Sequence, residues 1–404
     1  MTTTPADPTV ESENKGEISA TVPSDLTLSR YVEDRRALEP GHAVRLLRNG
    51  DETFPAWLAA IETARHRISL EMYIFNNDAI GRQFADALGR AARRGVEVRM
   101  MYDYVGCRAT PADFFARMRA QGVHTIAYHK YRFWRPRFWA LMRRNHRKTL
   151  VCDGRVAFTG GLNIAVEWVG LSSGGGDWRD AVIQVEGPAV ATIEAVFLRT
   201  WNRRAKKWAR LDPARLPQPA PAGDVPLVVI SNSEMGERFA IRRAALHAVR
   251  ESRQRVYLAN PYFVPDRGVL RALQNAAQRG VDVRLLVPGE GDSRVLDLAT
   301  RAVLGPLLAA GVRIWLSKAV VHTKVVAVDD AFVSIGSYNF DHRSLAYNLE
   351  VVVNVLDARY GQDVVAFLES DIAASEELTR EGFRRRPLLI RLMERLAYAL
   401  RKWL

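Results

Sequence analysis

Residues 321–330 read VHTKVVAVDD, and residues 145–154 read NHRKTLVCDG. Both carry histidine, any residue, lysine, any four residues and aspartate, as His322, Lys324, Asp329 and as His146, Lys148, Asp153. On an extended strand successive side chains alternate faces, so each histidine and its lysine point to one side. Each aspartate lies an odd number of residues from its histidine and faces away. After each aspartate the chain turns back, through DGRVAFTGGLN (153–163) and DDAFVSIGSYN (329–339), in a hairpin-like pattern. The return strands end in Gly160-Gly161-Leu162-Asn163 and Gly336-Ser337-Tyr338-Asn339. Small residues there let the backbone approach a ligand, and each asparagine offers an amide donor.

The duplication extends beyond the motif. ISLEMYIFNND (68–78), the helical pattern GRQFADALGRAARRG (81–95) and VEVRMMYD (96–103) are answered by VYLANPYFVPD (256–266), GVLRALQNAAQRG (268–280) and VDVRLLVPG (281–289). QGVHTIAY (121–128) is answered by AGVRIWLS (310–317). Strand, helix, strand, helix, strand in each copy predicts two α/β halves with largely parallel sheets, fused as a pseudo-two-fold pair. The boundaries read as a disordered leader (1–26), a first half (27–210), a Pro/Ala linker LDPARLPQPAPAGDVP (211–226), a second half (227–376) and a basic amphipathic C-terminal helix (377–404).

The chain has 404 residues, 48% of them hydrophobic, and a net charge of +13, which calls for a polyanionic partner, either nucleic acid or an anionic membrane surface. Its two cysteines, Cys107 and Cys152, make no disulfide framework and fit a reducing compartment as buried apolar residues. No signal peptide and no spanning helix is read. Among the eight histidines, His42, His66, His124, His129, His247 and His342 carry no pattern and read as ordinary core or surface residues. Arginine dominates the basic residues, so lysine recurring at matched motif positions marks a place where a compact point charge is wanted.

Two histidines, two lysines and two asparagines converging across a two-fold axis suit phosphodiester chemistry. The lysines and Asn163 and Asn339 hold the non-bridging oxygens, one histidine attacks phosphorus in line, and the other protonates the leaving alkoxide. No carboxylate or Cys/His cluster has metal-ligand spacing, and neither metal nor cofactor is called for. A nucleophilic imidazole needs a carboxylate on its far nitrogen. Asp180 in GDWRDAVIQVEG and Glu350 in YNLEVVVNV open equivalent apolar runs. Asp180 is expected to orient His146, and Glu350 to orient His322.

These residues resemble the two HKD motifs of the phospholipase D superfamily. GSYNFDHRS (336–344) and NLE (348–350) are similar to the second-motif block of bacterial cardiolipin synthases, and the likeness runs from about residue 49 to about residue 370. The resemblance implies two α/β/α halves with the active site at their interface. It further implies metal-independent transfer through a phosphatidyl-histidine, in which phosphatidylglycerol donates its phosphatidyl group, releases glycerol, and a second lipid hydroxyl accepts. On that reading His146, Lys148, Asn163, His322, Lys324 and Asn339 are catalytic, Asp180 and Glu350 are the histidine partners, and Asp153 and Asp329 are structural. By the same analogy His146 attacks first. One branch of these synthases begins with two transmembrane helices; this chain is similar to the branch that meets the membrane peripherally, at the cytoplasmic face of the bacterial inner membrane. Hydrolytic phospholipase D and a nuclease of the same superfamily are the alternatives.

The segment HKYRFWRPRFWALMRRN (129–145), directly before His146, mixes five arginines with two tryptophans, two phenylalanines and a tyrosine. Such a mixture suits a bilayer interface, and also single-stranded nucleic acid. Beside a lipid-type site, membrane contact is expected at Trp134, Phe138 and Trp139, and also at Trp403 near the C-terminus. In the C-terminal segment Leu389, Leu392, Met393, Leu396, Leu400 and Trp403 follow helical spacing, with Arg391, Arg395 and Lys402 on another face. That pattern fits a helix docked on its own domain or an interfacial anchor.

Overall fold

A strand that is apolar at consecutive positions must be covered on both faces, and this requirement sets the layers. The structure is a computed structural model describing residues 29–130, 142–171, 174–216, 218–232 and 237–402. The first half runs β1 (Glu39–Arg48), α1 (Asn49–Thr63), β2 (Arg67–Met72), α2 (Ala79–Arg93), β3 (Glu97–Asp103), α3 (Ala112–Ala120), β4 (His124–Tyr128), β5 (Thr149–Cys152), β6 (Val156–Gly160), β7 (Ala181–Glu186) and α4 (Ala189–Arg204). The second half repeats the order as β8 (Val225–Ser231), α5 (Ala240–Glu251), β9 (Arg255–Ala259), α6 (Arg267–Gln278), β10 (Asp282–Pro288), α7 (Arg294–Ala309), β11 (Arg313–Ser317), β12 (Val325–Val328), β13 (Phe332–Gly336), α8 (His342–Ala346), β14 (Val351–Leu356) and α9 (Ala358–Ala373). A short C-terminal addition follows: β15 (Glu376–Glu377), α10 (Arg380–Arg384) and α11 (Leu388–Ala399). The expected leader (1–26) and Trp134, Phe138, Trp139 and Trp403 lie outside the described residues.

The strands run in the order β15-β11-β10-β9-β12-β13-β14-β8-β1-β7-β6-β5-β2-β3-β4. Reading outward from the β8–β1 junction, each half repeats the other. The expectation of largely parallel sheets holds only where helices intervene: β2, β3 and β4 are mutually parallel, as are β9, β10 and β11. Among the described strands the other pairings are antiparallel; at the motifs this follows because β5 and β12 turn straight back into β6 and β13, and a tight hairpin cannot join parallel strands. Both turns use positive φ at two successive residues, +57° and +64° at Asp153 and Gly154, +51° and +53° at Asp329 and Asp330.

Helices α1 and α2 cover one face of the first half, where Trp57, Phe84 and Phe158 are fully enclosed. Helices α5, α6 and α7 cover the matching face of the second half around Leu246, Leu273 and Leu304. A third core is shared by the halves. There β6 and β7 pack against β13 and β14, joining Ala157, Ile183 and Val185 to Val333, Ile335 and Val353. Helix α4 leans across onto β8 and α9 onto β1, which closes this core. The residues just before β5, β7, β12 and β14 are bridged across the halves beside that seam.

The motif aspartates sit at the far ends of their strands. Asp153 accepts three backbone N–H bonds, from Arg65, His66 and Arg67 at 2.8–2.9 Å. Asp329 does the same for Arg253, Gln254 and Arg255 at 2.7–2.9 Å, and also takes the Tyr31 hydroxyl at 2.7 Å. Each therefore ties the start of β2 or β9 to the hairpin. Asp153→Ala or Asp329→Ala leaves three amides without their acceptor and is expected to cost about 2 kcal/mol of stability, read as a lower urea midpoint; an unchanged midpoint would contradict this role.

Candidate active site

The residue just before each motif histidine is bridged to the opposite half. Asn145 forms a parallel bridge with Leu349, and Arg179 with Val321. The amide of His146 bonds the carbonyl of Leu349 at 3.0 Å, and the amide of His322 bonds the carbonyl of Arg179 at 2.7 Å. Each histidine is thereby set beside the residue that follows its cross-half partner, Glu350 or Asp180.

The carboxylate partners are consequently crossed relative to the sequence expectation. His146 Nδ1–H donates to Glu350, 3.1 Å from both carboxylate oxygens, and His322 Nδ1–H donates to Asp180 Oδ2 at 2.6 Å. The physical reason is strand order. Within a half, β6 separates β5 from β7, so Asp180 cannot reach its own half's histidine, whereas the bridges across the seam bring the other one alongside. Since a carboxylate only accepts, each proton is held on Nδ1 and each Nε2 keeps a free lone pair.

His146, Lys148, Asn163, Asp180, His322, Lys324, Asn339 and Glu350 are all buried. Lys148 donates to the carbonyl of His146 at 2.7 Å, and Lys324 to that of His322. Asn163 Oδ1 accepts from the backbone N–H of Ile74 at 3.0 Å, and the backbone N–H of Asn339 donates to Ser344 Oγ at 3.3 Å. Asn339 Oδ1 is buried without a hydrogen-bond partner among the described residues. A buried polar atom in that state is one that a ligand can satisfy. Burial pushes both histidines down to about 4, with the nearby lysine charges adding to the effect, so both are neutral near pH 7. Burial also lowers Lys324 to about 8 and Lys148 well below the ordinary lysine range. It would raise Glu350 as well, but His146, Lys148 and the Ser337 hydroxyl hold that carboxyl below its usual range.

The two histidines differ in what surrounds their carboxylates, and sequence reasoning missed these residues. Glu350 accepts from Ser337 Oγ at 2.5 Å, Ser344 Oγ at 2.7 Å and Asn348 Nδ2 at 3.4 Å. Asp180 instead accepts from Trp168 Nε1 at 3.1 Å and the Ala181 amide at 2.8 Å. The Gly161/Ser337 difference was a legible signal: a Cβ at Gly161 would come within 2.3 Å of Asp180, where its counterpart Ser337 donates a hydrogen bond. Aromatic walls differ too, with Tyr73 beside His146 and Trp168 and Trp178 beside His322. Behind His146, Arg147 braces the seam by donating to the carbonyls of Glu350 and Asn232.

A family model described as cardiolipin synthase, PLD-like domain, matches residues 57–201 and 245–372, one segment in each half. The chain belongs to this family. It is 30% identical to the major cardiolipin synthase ClsA of Bacillus subtilis (strain 168) over 372 residues, 92% of this chain and 77% of that one. It is 35% identical to cardiolipin synthase A of Pseudomonas entomophila (strain L48), covering 88% of this chain and 73% of the relative. The crystal structure of phosphatidylserine synthase from Haemophilus influenzae Rd KW20 shares the fold, with a TM-score of 0.68 at 13% identity over 89% of this chain and 95% of that one. In this member of the cardiolipin synthase family the PLD-like halves each supply one histidine, and each histidine leans on the opposite half.

The crossed pairing predicts which ring responds to which carboxylate. Glu350→Gln is expected to alter the imidazole ¹⁵N resonances of His146 and leave those of His322 nearly unmoved, and Asp180→Asn to do the reverse. The opposite assignment in a histidine-labelled sample would show that the pairs form within each half.

Proposed function

We propose that the protein is a cardiolipin synthase that transfers a phosphatidyl group from phosphatidylglycerol to a second phospholipid hydroxyl. The observation carrying this is the pair of buried histidines, each held at Nδ1 by the other half's carboxylate, beside two buried lysines. The anionic diester brings its own charge into a site where burial and the charge of Lys324 depress Lys148, and it relieves that penalty. It also favours a proton on one imidazole, producing the base and acid pair the reaction needs.

One Nε2 attacks phosphorus, the bond to the glycerol oxygen breaks, and that oxygen takes the Nε2 proton of the other histidine. Glycerol leaves and a phosphatidyl-histidine remains. The acceptor hydroxyl then gives its proton to the second histidine and attacks phosphorus, and the phosphorus–nitrogen bond breaks. By analogy His146 is the nucleophile and His322 the acid. Lys148, Lys324, Asn163 and Asn339 meet the charge that develops on the non-bridging oxygens. Among the described residues no helix is long and apolar enough to cross a membrane. The net charge of +13 supports approach to an anionic lipid surface, and two buried free thiols fit the cytoplasmic face of the inner membrane.

Purified protein in phosphatidylglycerol vesicles with chelator is expected to yield cardiolipin and glycerol. Phosphatidic acid as the sole product would make water the acceptor, and absence of lipid turnover alongside DNA cleavage would overturn the assignment. His146→Asn and His322→Asn are each expected to lower turnover by at least about 10³-fold, and an active variant of either would contradict a shared site. Both histidines of the free enzyme are neutral above about 4, so the imidazolium that serves as acid is taken up with the substrate, and kcat/KM is expected to fall as pH rises through the neutral range. The fall should steepen above about 8 as Lys324 loses its charge.

A further inference from the structure

Helix α11 has three faces, and only one is used by the fold. At 100° per residue, Leu388, Leu389, Leu392, Met393, Leu396 and Leu400 occupy a stripe roughly 140° wide, and all six are exposed, Leu388 by 78% and Leu389 by 68%. The opposite face carries Glu394 and Ala397, which are buried against α7 and its surroundings. Between them, Arg391, Arg395 and Lys402 form a basic flank.

The leucine stripe is not spare core surface waiting to dock, because the addition is already fastened elsewhere. Arg380 donates to the Leu308 and Ala309 carbonyls at the C-terminal end of α7. Phe383 packs on Gly305, Arg386 stacks over Phe383 at 3.2 Å, and Arg386 is paired with the buried Glu394. Beside this attachment is a cavity of about 520 Å³ lined by Phe383, Arg380, Arg384, Arg386 and Arg391. Arg380 and Arg386 are committed to the fold. Among the described residues Arg384 and Arg391 have no side-chain partner. Just past the other end of α11, Arg401 lines a small pocket together with Tyr338, Phe340 and Asp341, the loop that carries Asn339, and Ala397 packs on Val264.

We propose that α11 is an in-plane anchor on an anionic bilayer, with its leucine stripe in the headgroup–acyl boundary and a lipid phosphate in the arginine cavity. This rests on the phospholipid reading above, and it adds a second lipid-binding element that holds the Asn339 loop toward the membrane. The chemistry is complementary at both levels, since apolar side chains gain by leaving water and two uncommitted guanidiniums gain an anion.

The test uses the full chain and vesicles of phosphatidylcholine with and without phosphatidylglycerol. The triple variant Leu389→Gln, Leu392→Gln, Leu396→Gln is expected to sediment with vesicles at least about ten-fold more weakly, while turning over water-soluble short-chain phosphatidylglycerol like the parent. Arg384→Glu with Arg391→Glu is expected to lose the preference for phosphatidylglycerol vesicles. Unchanged vesicle binding by the triple variant would overturn the anchor, as would light scattering showing that the stripe joins two copies while vesicle binding persists. If the parent protein fails to process the soluble lipid, the enzymatic reading fails instead, and the sedimentation result still decides the anchor.

Discussion

Two hydrogen-bonded bridges across the seam, Asn145 to Leu349 and Arg179 to Val321, fix the register between the halves, and the chemistry depends on that register. A slip of one residue at either bridge would turn the carboxylate to the opposite face of its strand, away from the histidine. The shared core of β6, β7, β13 and β14 holds the seam against such a slip, and α4 and α9 reach across to close it. Burial around the bridges does two things at once. It strips water from both histidines so that they rest neutral, and it makes their paired carboxylates the main counterweight to that desolvation.

Much of the fold is written locally. Alternation on a strand already separates His146 and Lys148 from Asp153, and positive-φ residues at Asp153-Gly154 and Asp329-Asp330 mark the hairpins. The pairing of histidine with carboxylate is not local. The contacts span 204 residues for His146–Glu350 and 142 for His322–Asp180, and equivalent positions in a repeat give no sign of whether partners lie within a copy or across copies. Only the strand order, with β6 placed between β5 and β7, decides it. The parallel-sheet expectation holds for β2, β3 and β4 and for β9, β10 and β11, and it stops at the motif strands, whose hairpins are too tight for a crossover.

The second copy has not remained a replica of the first. Where Ser337 donates to Glu350, Gly161 makes room for Asp180, and the indole of Trp168 supplies the missing donor. A longer carboxylate with two hydroxyl donors holds His146, and a shorter one with an indole donor and two aromatic walls holds His322. Two chemically identical rings are thus given different carboxylates, different donors behind those carboxylates and different aromatic walls.

Duplication ordinarily frees one copy of a gene segment to decay while the other carries on. The crossed carboxylates remove that freedom. Damage to Glu350 is felt at the histidine of the first half, and damage to Asp180 at that of the second, so neither copy can be lost, exchanged or improved alone. The pair is inherited as one unit even though it is spelled as two.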